Sequence, residues 1–224
     1  MKVLELFAGS RSIGKVAEKL GHQVFSVDIN NFKNINLVKD IEFLTIKDIP
    51  FKPDFIWASP PCTTYSIAAI GHHRDMGKPK TIFAEKSDRL VLNTLKLIKE
   101  FNCIYFIENP RGYLRKMNFM AGIPRTTVWY CQYGDKRAKP TDLWSNHIYN
   151  LFNTKGFIPK ICFNNNKKCQ HESAPRSSTI KKLKEKNIFK KIGGTQALKN
   201  NFERSKIPEQ LCFEIIKSVE NGYS

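Results

Sequence analysis

Phe55-Ile-Trp-Ala-Ser-Pro-Pro-Cys62-Thr-Thr-Tyr-Ser66 reads as a short buried strand that stops abruptly at a thiol. The apolar run Phe55 to Ala58 has strand length, and Pro60 and Pro61 end it because proline offers no amide hydrogen to a ladder. In an α/β protein the loop leaving the carboxyl end of a strand is where ligands and reacting groups gather. A stiff Pro-Pro backbone presents Cys62 there as a candidate nucleophile. The alternative is a buried structural thiol, the usual fate of a free cysteine.

Upstream, Val3-Leu-Glu-Leu-Phe7 reads as a first strand. It runs through Ala8-Gly9-Ser10-Arg11-Ser12-Ile13-Gly14 into a helix with Ile13, Val16, Ala17 and Leu20 on one face, closed by Gly21. Strand, glycine turn and helix cradle a nucleotide-like cofactor, because glycine lets backbone approach it closely. Gln23 to Asp28 is a second strand ending in an acid placed to hold ribose hydroxyls; an ordinary turn aspartate is the alternative. Downstream, Ala68 to Ile82 has loop composition, and Ser87 is the expected N-cap of a helix carrying Val91, Leu95, Ile98 and Phe101. Ile104 to Glu108 is another strand ending in a carboxylate and stopped by Pro110, and Thr126 to Gln132 is a β-type run. Pro208 opens a last helix with Leu211, Cys212, Ile215, Ile216 and Val219 on one face. The alternation predicts an α/β fold, Rossmann-like, with an open, mostly parallel sheet and helices on both faces. Cys62 and Glu108 then converge on one sheet edge.

The formal charge is +17, and residues 161 to 206 hold 12 Lys/Arg against 3 Glu. Such a stripe normally faces a polyanion, most often nucleic acid; a solvated lysine-rich surface is the alternative. No stretch approaches the length of a membrane span, and six scattered cysteines make no disulfide framework, so a reducing, cytoplasmic setting is expected. Cys162, Cys169 and His171 are spaced as three candidate zinc ligands, with Cys131 or His147 as the fourth; unligated side chains are the alternative.

Phe7-Ala-Gly9, Ser59-Pro-Pro-Cys62-Thr-Thr-Tyr-Ser66 and Glu108-Asn-Pro110, in that order, resemble the motifs of the cytosine-C5 DNA methyltransferases. Tyr130-Cys-Gln-Tyr-Gly134, Lys139-Pro-Thr-Asp-Leu-Trp144 and Arg204-Ser-Lys-Ile-Pro208 narrow the resemblance to compact phage- and prophage-type members. The resemblance implies that Cys62 adds to C6 of a flipped cytosine and that Glu108 holds its N3 and N4 edge. Arg137 and Lys139, or else Arg125, would lie near the base and phosphate. S-adenosylmethionine is the implied cofactor, at Phe7, Ala8, Gly9, Ser10, Asp28, Ile29, Asp40, Ile41, Ser59 and Pro60, with Asp28 on the ribose and Asp40 near the adenine amine. Duplex DNA is the implied partner, with contacts expected at Ser66, Arg74, Lys181, Lys182, Lys184, Gly194, Thr195 and Gln196. Residues 1–145 would form the catalytic core, 146–204 a small basic recognition region, and 205–224 a helix packing back on the core. Arg11 and Ser12 depart from the family by standing where glycines are usual. A transfer-RNA cytosine-C5 methyltransferase and an inactive nucleic-acid-binding homologue are the competing expectations.

Overall fold

The computed structural model describes residues 1–164, 166–171 and 201–223. Seven strands form one sheet in the order β3-β2-β1-β4-β7-β9-β8. They are β1 (Lys2–Leu6), β2 (Gln23–Asp28), β3 (Leu37–Val38), β4 (Phe55–Ala58), β7 (Ile104–Pro110), β8 (Arg125–Trp129) and β9 (Pro140–Ser145). The pairs β1·β2, β1·β4, β2·β3 and β4·β7 are parallel, whereas β9 runs antiparallel to both β7 and β8. The sheet is therefore mostly parallel, as expected. Strand order reverses between β1 and β4, and the crevice outside that switch point is where ligands bind in open α/β sheets. The glycine loop leaves β1 and the Pro-Pro-Cys loop leaves β4, so both border that crevice.

Every β4 residue is buried because the strand has a layer on each face. Phe55 and Trp57 pack with Val3, Phe106, α1 (Ser12–Lys19) and the C-terminal helix; Ile56 and Ala58 pack with Leu4, Leu6, Ile107 and the long helix α3 (Ile82–Phe101). The C-terminal helix α5 (Glu209–Tyr223) follows the short α4 (Asn201–Ser205). Its Leu211, Cys212, Ile215, Ile216 and Val219 are all fully buried. At roughly 1.5–3 kcal/mol per large apolar side chain, that face is ample to hold the chain's end on α1.

Three local expectations change. Helix α3 begins at Ile82, not after Ser87: Thr81 is the N-cap and accepts from the Ala84 amide at 3.2 Å. Ser87 is buried inside the helix, its hydroxyl donating to the Phe83 carbonyl. The stretch read as a loop holds one helical turn, α2 (Ile70–His73), and a small hairpin, β5 (Arg74–Asp75) with β6 (Lys78–Pro79). The β-type run ends at Trp129 and continues as a 3₁₀ turn over Tyr130–Tyr133. Among the described residues, no helix is long and apolar enough to cross a membrane.

Candidate active site

Cys62 stands in the loop after β4 and Glu108 near the end of the adjacent parallel strand β7, which runs on to Pro110 instead of stopping at the carboxylate. Both line the same cavity, about 860 Å³ in volume. Two contacts lock their loops together. Asn109 Nδ2 donates to the Pro60 carbonyl at 2.9 Å, and a Cβ on Gly112 would stand 2.5 Å from the Tyr65 carbonyl oxygen. The loop after Cys62 is fastened from behind. Tyr65 Oη donates to Asp88 at 2.6 Å, and Arg74 forms a bidentate pair with the same carboxylate at 2.6 and 3.0 Å while donating to the Thr64 carbonyl. Arg74, expected on nucleic acid, is 3 % exposed and lies over the Tyr65 ring, so it serves as an anchor of the cysteine loop. Gly112→Ala should force the two loops apart. Overpacking of this kind costs about 1–3 kcal/mol, so thermal unfolding should show a lower Tm while the fold persists.

Burial is the largest influence on the Cys62 thiol and pushes its pKa above the ordinary cysteine range; the charge of Glu108 adds to this, and Lys139 and Arg204 oppose it. Glu108 is 5 % exposed. Its Oε1 accepts from Tyr130 Oη at 3.0 Å and lies 4.0 Å from Lys139 Nζ. Tyr130 is fully buried, which raises its own pKa far enough to keep the hydroxyl a donor to Glu108. Lys139 sits 4.6 Å from the Tyr130 ring centroid and donates to the Arg204 carbonyl. Arg137 is clamped on Asp135 and also donates to the Arg204 carbonyl. Arg137, Lys139 and Arg204 all line the cavity; Arg125 does not, pairing with the buried Asp142 in β9 instead.

The opposite wall is the loop after β1. Phe7, Gly9 and Arg11 all have left-handed backbones, with φ of 56°, 46° and 55°. Arg11 tolerates a conformation that favours glycine because its side chain is tied down: Nε donates to Ser26 Oγ at 3.0 Å and Nη2 meets Glu18 at 2.5 Å. Beneath the loop, Glu5 accepts from the amides of Ile13 and Gly14, and a Cβ on Gly14 would come within 2.5 Å of Glu5 Oε2. The Gly9 amide donates to Asp28 at 2.9 Å, so the acid at the end of β2 shapes this loop. Phe7, Ala8, Gly9, Ser10, Ser59 and Pro60 line the cavity, as does Ser66. An open glycine turn against an acid-tipped second strand, beside a cavity large enough for a nucleoside and a base, fits S-adenosylmethionine.

The remaining expected cofactor positions, Asp28, Ile29, Asp40 and Ile41, stand outside that lining. Ile29 is exposed and Ile41 is buried in the core under α3. Asp40 caps the turn Ile41–Phe43 and pairs with Lys86 at 2.6 Å. Lys181, Lys182, Lys184, Gly194, Thr195 and Gln196 lie outside the described residues. Sequence reasoning missed Glu5, Trp57, Arg111, Asn164 and Arg204 as lining residues. Arg111 was within reach, following Glu108-Asn-Pro directly; Asn164 is 56 residues from that motif and carries no local signal. Cys162, Cys169 and His171 do come together, with Cys131 as the fourth member. His147 is elsewhere, its Nε2 at 2.9 Å from the Ser218 carbonyl.

Residues 1–120 match the family model for C-5 cytosine-specific DNA methylase. A probable DNA (cytosine-5)-methyltransferase from frog virus 3 (isolate Goorha) is 29 % identical over 171 residues, covering 72 % of this chain and 75 % of the viral protein. The methyltransferase EhMeth of Entamoeba histolytica shares the fold along the whole length, with a TM-score of 0.58 at 13 % identity, covering 100 % of this chain and 99 % of that one. The chain spans 46 % of a putative DNA modification methyltransferase from an E. coli prophage, which it matches at 15 % identity over 65 % of its own length with a TM-score of 0.48.

Proposed function

The chain belongs to the C-5 cytosine-specific DNA methylase family, and from that premise we propose that it methylates C5 of a cytosine flipped out of duplex DNA. One observation carries the reading: Cys62 and Glu108, at the ends of neighbouring strands, open into the cavity that the glycine loop also lines. C5 of cytosine is a weak nucleophile until a group adds to C6. Cys62 gives up its thiol proton as Sγ forms the C6–S bond, and the Glu108 carboxylate takes up a proton and delivers it to N3 while accepting from the N4 amine, so the ring electrons move toward C5. Tyr130 and Lys139 hold the Glu108 carboxyl in place for that transfer. S-adenosylmethionine supplies an electrophilic methyl group, and Phe7, Ala8, Gly9 and Ser10 would hold it. Loss of the C5 proton to solvent then expels Cys62 as thiolate, N3 returns its proton to Glu108, and the thiolate is reprotonated. The raised thiol pKa means that Cys62 waits protonated until the base arrives, with Lys139 and Arg204 favouring its ionisation.

The target atoms are hidden in a stacked duplex, so base flipping accompanies this chemistry. Residues 1–145 act as the catalytic core and 146–204 as the recognition region, whose positive charge tracks phosphates. Transfer of labelled methyl groups to duplex DNA and to transfer RNA, followed by mapping of the modified base, tests the proposal. The expected product is 5-methylcytosine in DNA; label confined to RNA, or to an amino nitrogen, would overturn it.

A further inference from the structure

Three cysteines and a histidine from two separated stretches meet beside the active site. Cys131 lies in the turn after β8; Cys162, Cys169 and His171 come from the segment leading toward the basic region. Their ligand atoms all fall within 4.8 Å of one another, and Cys162 Sγ is 3.7 Å from His171 Nδ1. Tetrahedral zinc with bonds of about 2.3 Å to sulfur and about 2.0 Å to nitrogen gives edges of about 3.5 to 3.8 Å between ligands. The Cys162–His171 pair already has that separation, and the outer limit of 4.8 Å is about 1 Å longer, so a small inward turn of the side chains closes the shell. Its surroundings suit thiolates as well. Asn166 Nδ2 donates to Cys162 Sγ at 3.2 Å, and Gln132 Nε2 reaches Cys169 Sγ at 3.4 Å and Cys131 Sγ at 3.8 Å. Amide donors of this kind orient metal-bound sulfur, and Trp129 and Ala138 pack an apolar wall behind it.

We propose that Cys131, Cys162, Cys169 and His171 bind one zinc ion that fastens the start of the basic segment to the catalytic edge. Four protein ligands leave no open position, so the ion is structural. Its place explains why it is needed. Just before the cluster the chain is still held by the core: the Trp129 amide donates to the Lys160 carbonyl at 3.2 Å, and the Lys160 amide donates to Tyr133 Oη at 2.8 Å. Asn164, inside the clipped segment, lines the active-site cavity, and so does Arg204 where the chain returns. Both ends of the stretch that carries 12 of the 37 lysines and arginines thus sit at the mouth of the cavity, and the metal sets one of them. Binding releases protons from the cysteines, so metal content should fall as the pH is lowered.

Metal analysis of the purified full chain should find about one zinc per molecule, since the shell holds a single ion. Cobalt(II) exchanged into it should show the visible absorption of a tetrahedral thiolate site. Cys169→Ser and Cys131→Ser should each lose the metal, whereas His171→Cys, which restores four ligands, and His147→Gln should keep it. Folded protein that stays metal-free after incubation with zinc would overturn the proposal, as would a disulfide between any two of the three cysteines or metal loss in His147→Gln. The DNA arm rests on the proposed function; the metal arm does not. Removing zinc by chelation should weaken duplex DNA binding about tenfold or more, about 1.4 kcal/mol, with S-adenosylmethionine affinity unchanged. Equal DNA affinity with and without zinc would overturn the positioning role even where the metal is present.

Discussion

Cys62→Ser should abolish methyl transfer, lowering the rate by more than about 10³-fold while leaving the fold and S-adenosylmethionine binding intact, because a nucleophile acts as one member of a unit that fails together. A hydroxyl replaces the thiol with little change in volume, and the loop around it is held by Asn109, Gly112, Tyr65 and Arg74, none of which touches the sulfur through a hydrogen bond. Steady-state labelling and calorimetry with the cofactor separate the two effects. The same site predicts a pH dependence. The reacting form is the thiolate, and burial together with Glu108 raises the thiol pKa, so kcat/KM should climb as pH rises above neutrality. Lys139 opposes that shift, so Lys139→Gln should move the rising limb to higher pH. A flat profile, or a limb that moves down, would contradict the assignment of Cys62 as the ionising nucleophile.

Glu108→Gln should have the second-largest effect, slowing methyl transfer by about 10²- to 10⁴-fold, the usual range for a positioned acid. An amide cannot transfer a proton to N3. The substitution is otherwise mild: Tyr130 Oη can still donate to the Gln oxygen, so the core around Tyr130 stays satisfied. The charge of Glu108 also raises the Cys62 pKa, so the variant should ionise Cys62 more easily and yet react more slowly. That opposition is informative. Faster methyl transfer in the variant would mean that Glu108 serves only to restrain the thiol, and single-turnover rates across pH would reveal it.

The parts of the site that were legible in the sequence are the ones set by strand ends. A buried run stopped by proline placed Cys62, because that feature acts within a few residues; Glu108 was found by the same logic, although β7 runs through it to Pro110, which pairs with Thr141. The apolar face of α5 was equally readable from its spacing. What stayed hidden depends on distant partners. Pro140–Ser145 forms a central strand although Pro140 leads it and Asp142 lies within it; proline is tolerated at the first position, and the buried aspartate is neutralised by Arg115 and Arg125. Arg74 reads as a loop cation, and only the fold supplies the Asp88 carboxylate that draws it inside. Ser87 resembled a cap because its side chain bonds backbone locally, which serine also does within a helix. The fourth member of the cysteine–histidine cluster was narrowed to Cys131 or His147 by composition, and tertiary structure chose between them.

The central claim is that Cys62 bonds to the cytosine ring, and DNA carrying 5-fluorocytosine tests it most directly. Once C5 has taken the methyl group, release of the thiol requires loss of the other C5 substituent as a cation. A proton leaves in that way and fluorine cannot, so the C6–S bond persists. The account predicts a covalent protein–DNA complex that accumulates only with S-adenosylmethionine and maps by mass spectrometry to the peptide containing Cys62. It predicts no such complex with Cys62→Ser and slower formation with Glu108→Gln. A complex mapped to Cys103, Cys131, Cys162, Cys169 or Cys212, or methyl transfer that survives in Cys62→Ser, would contradict it.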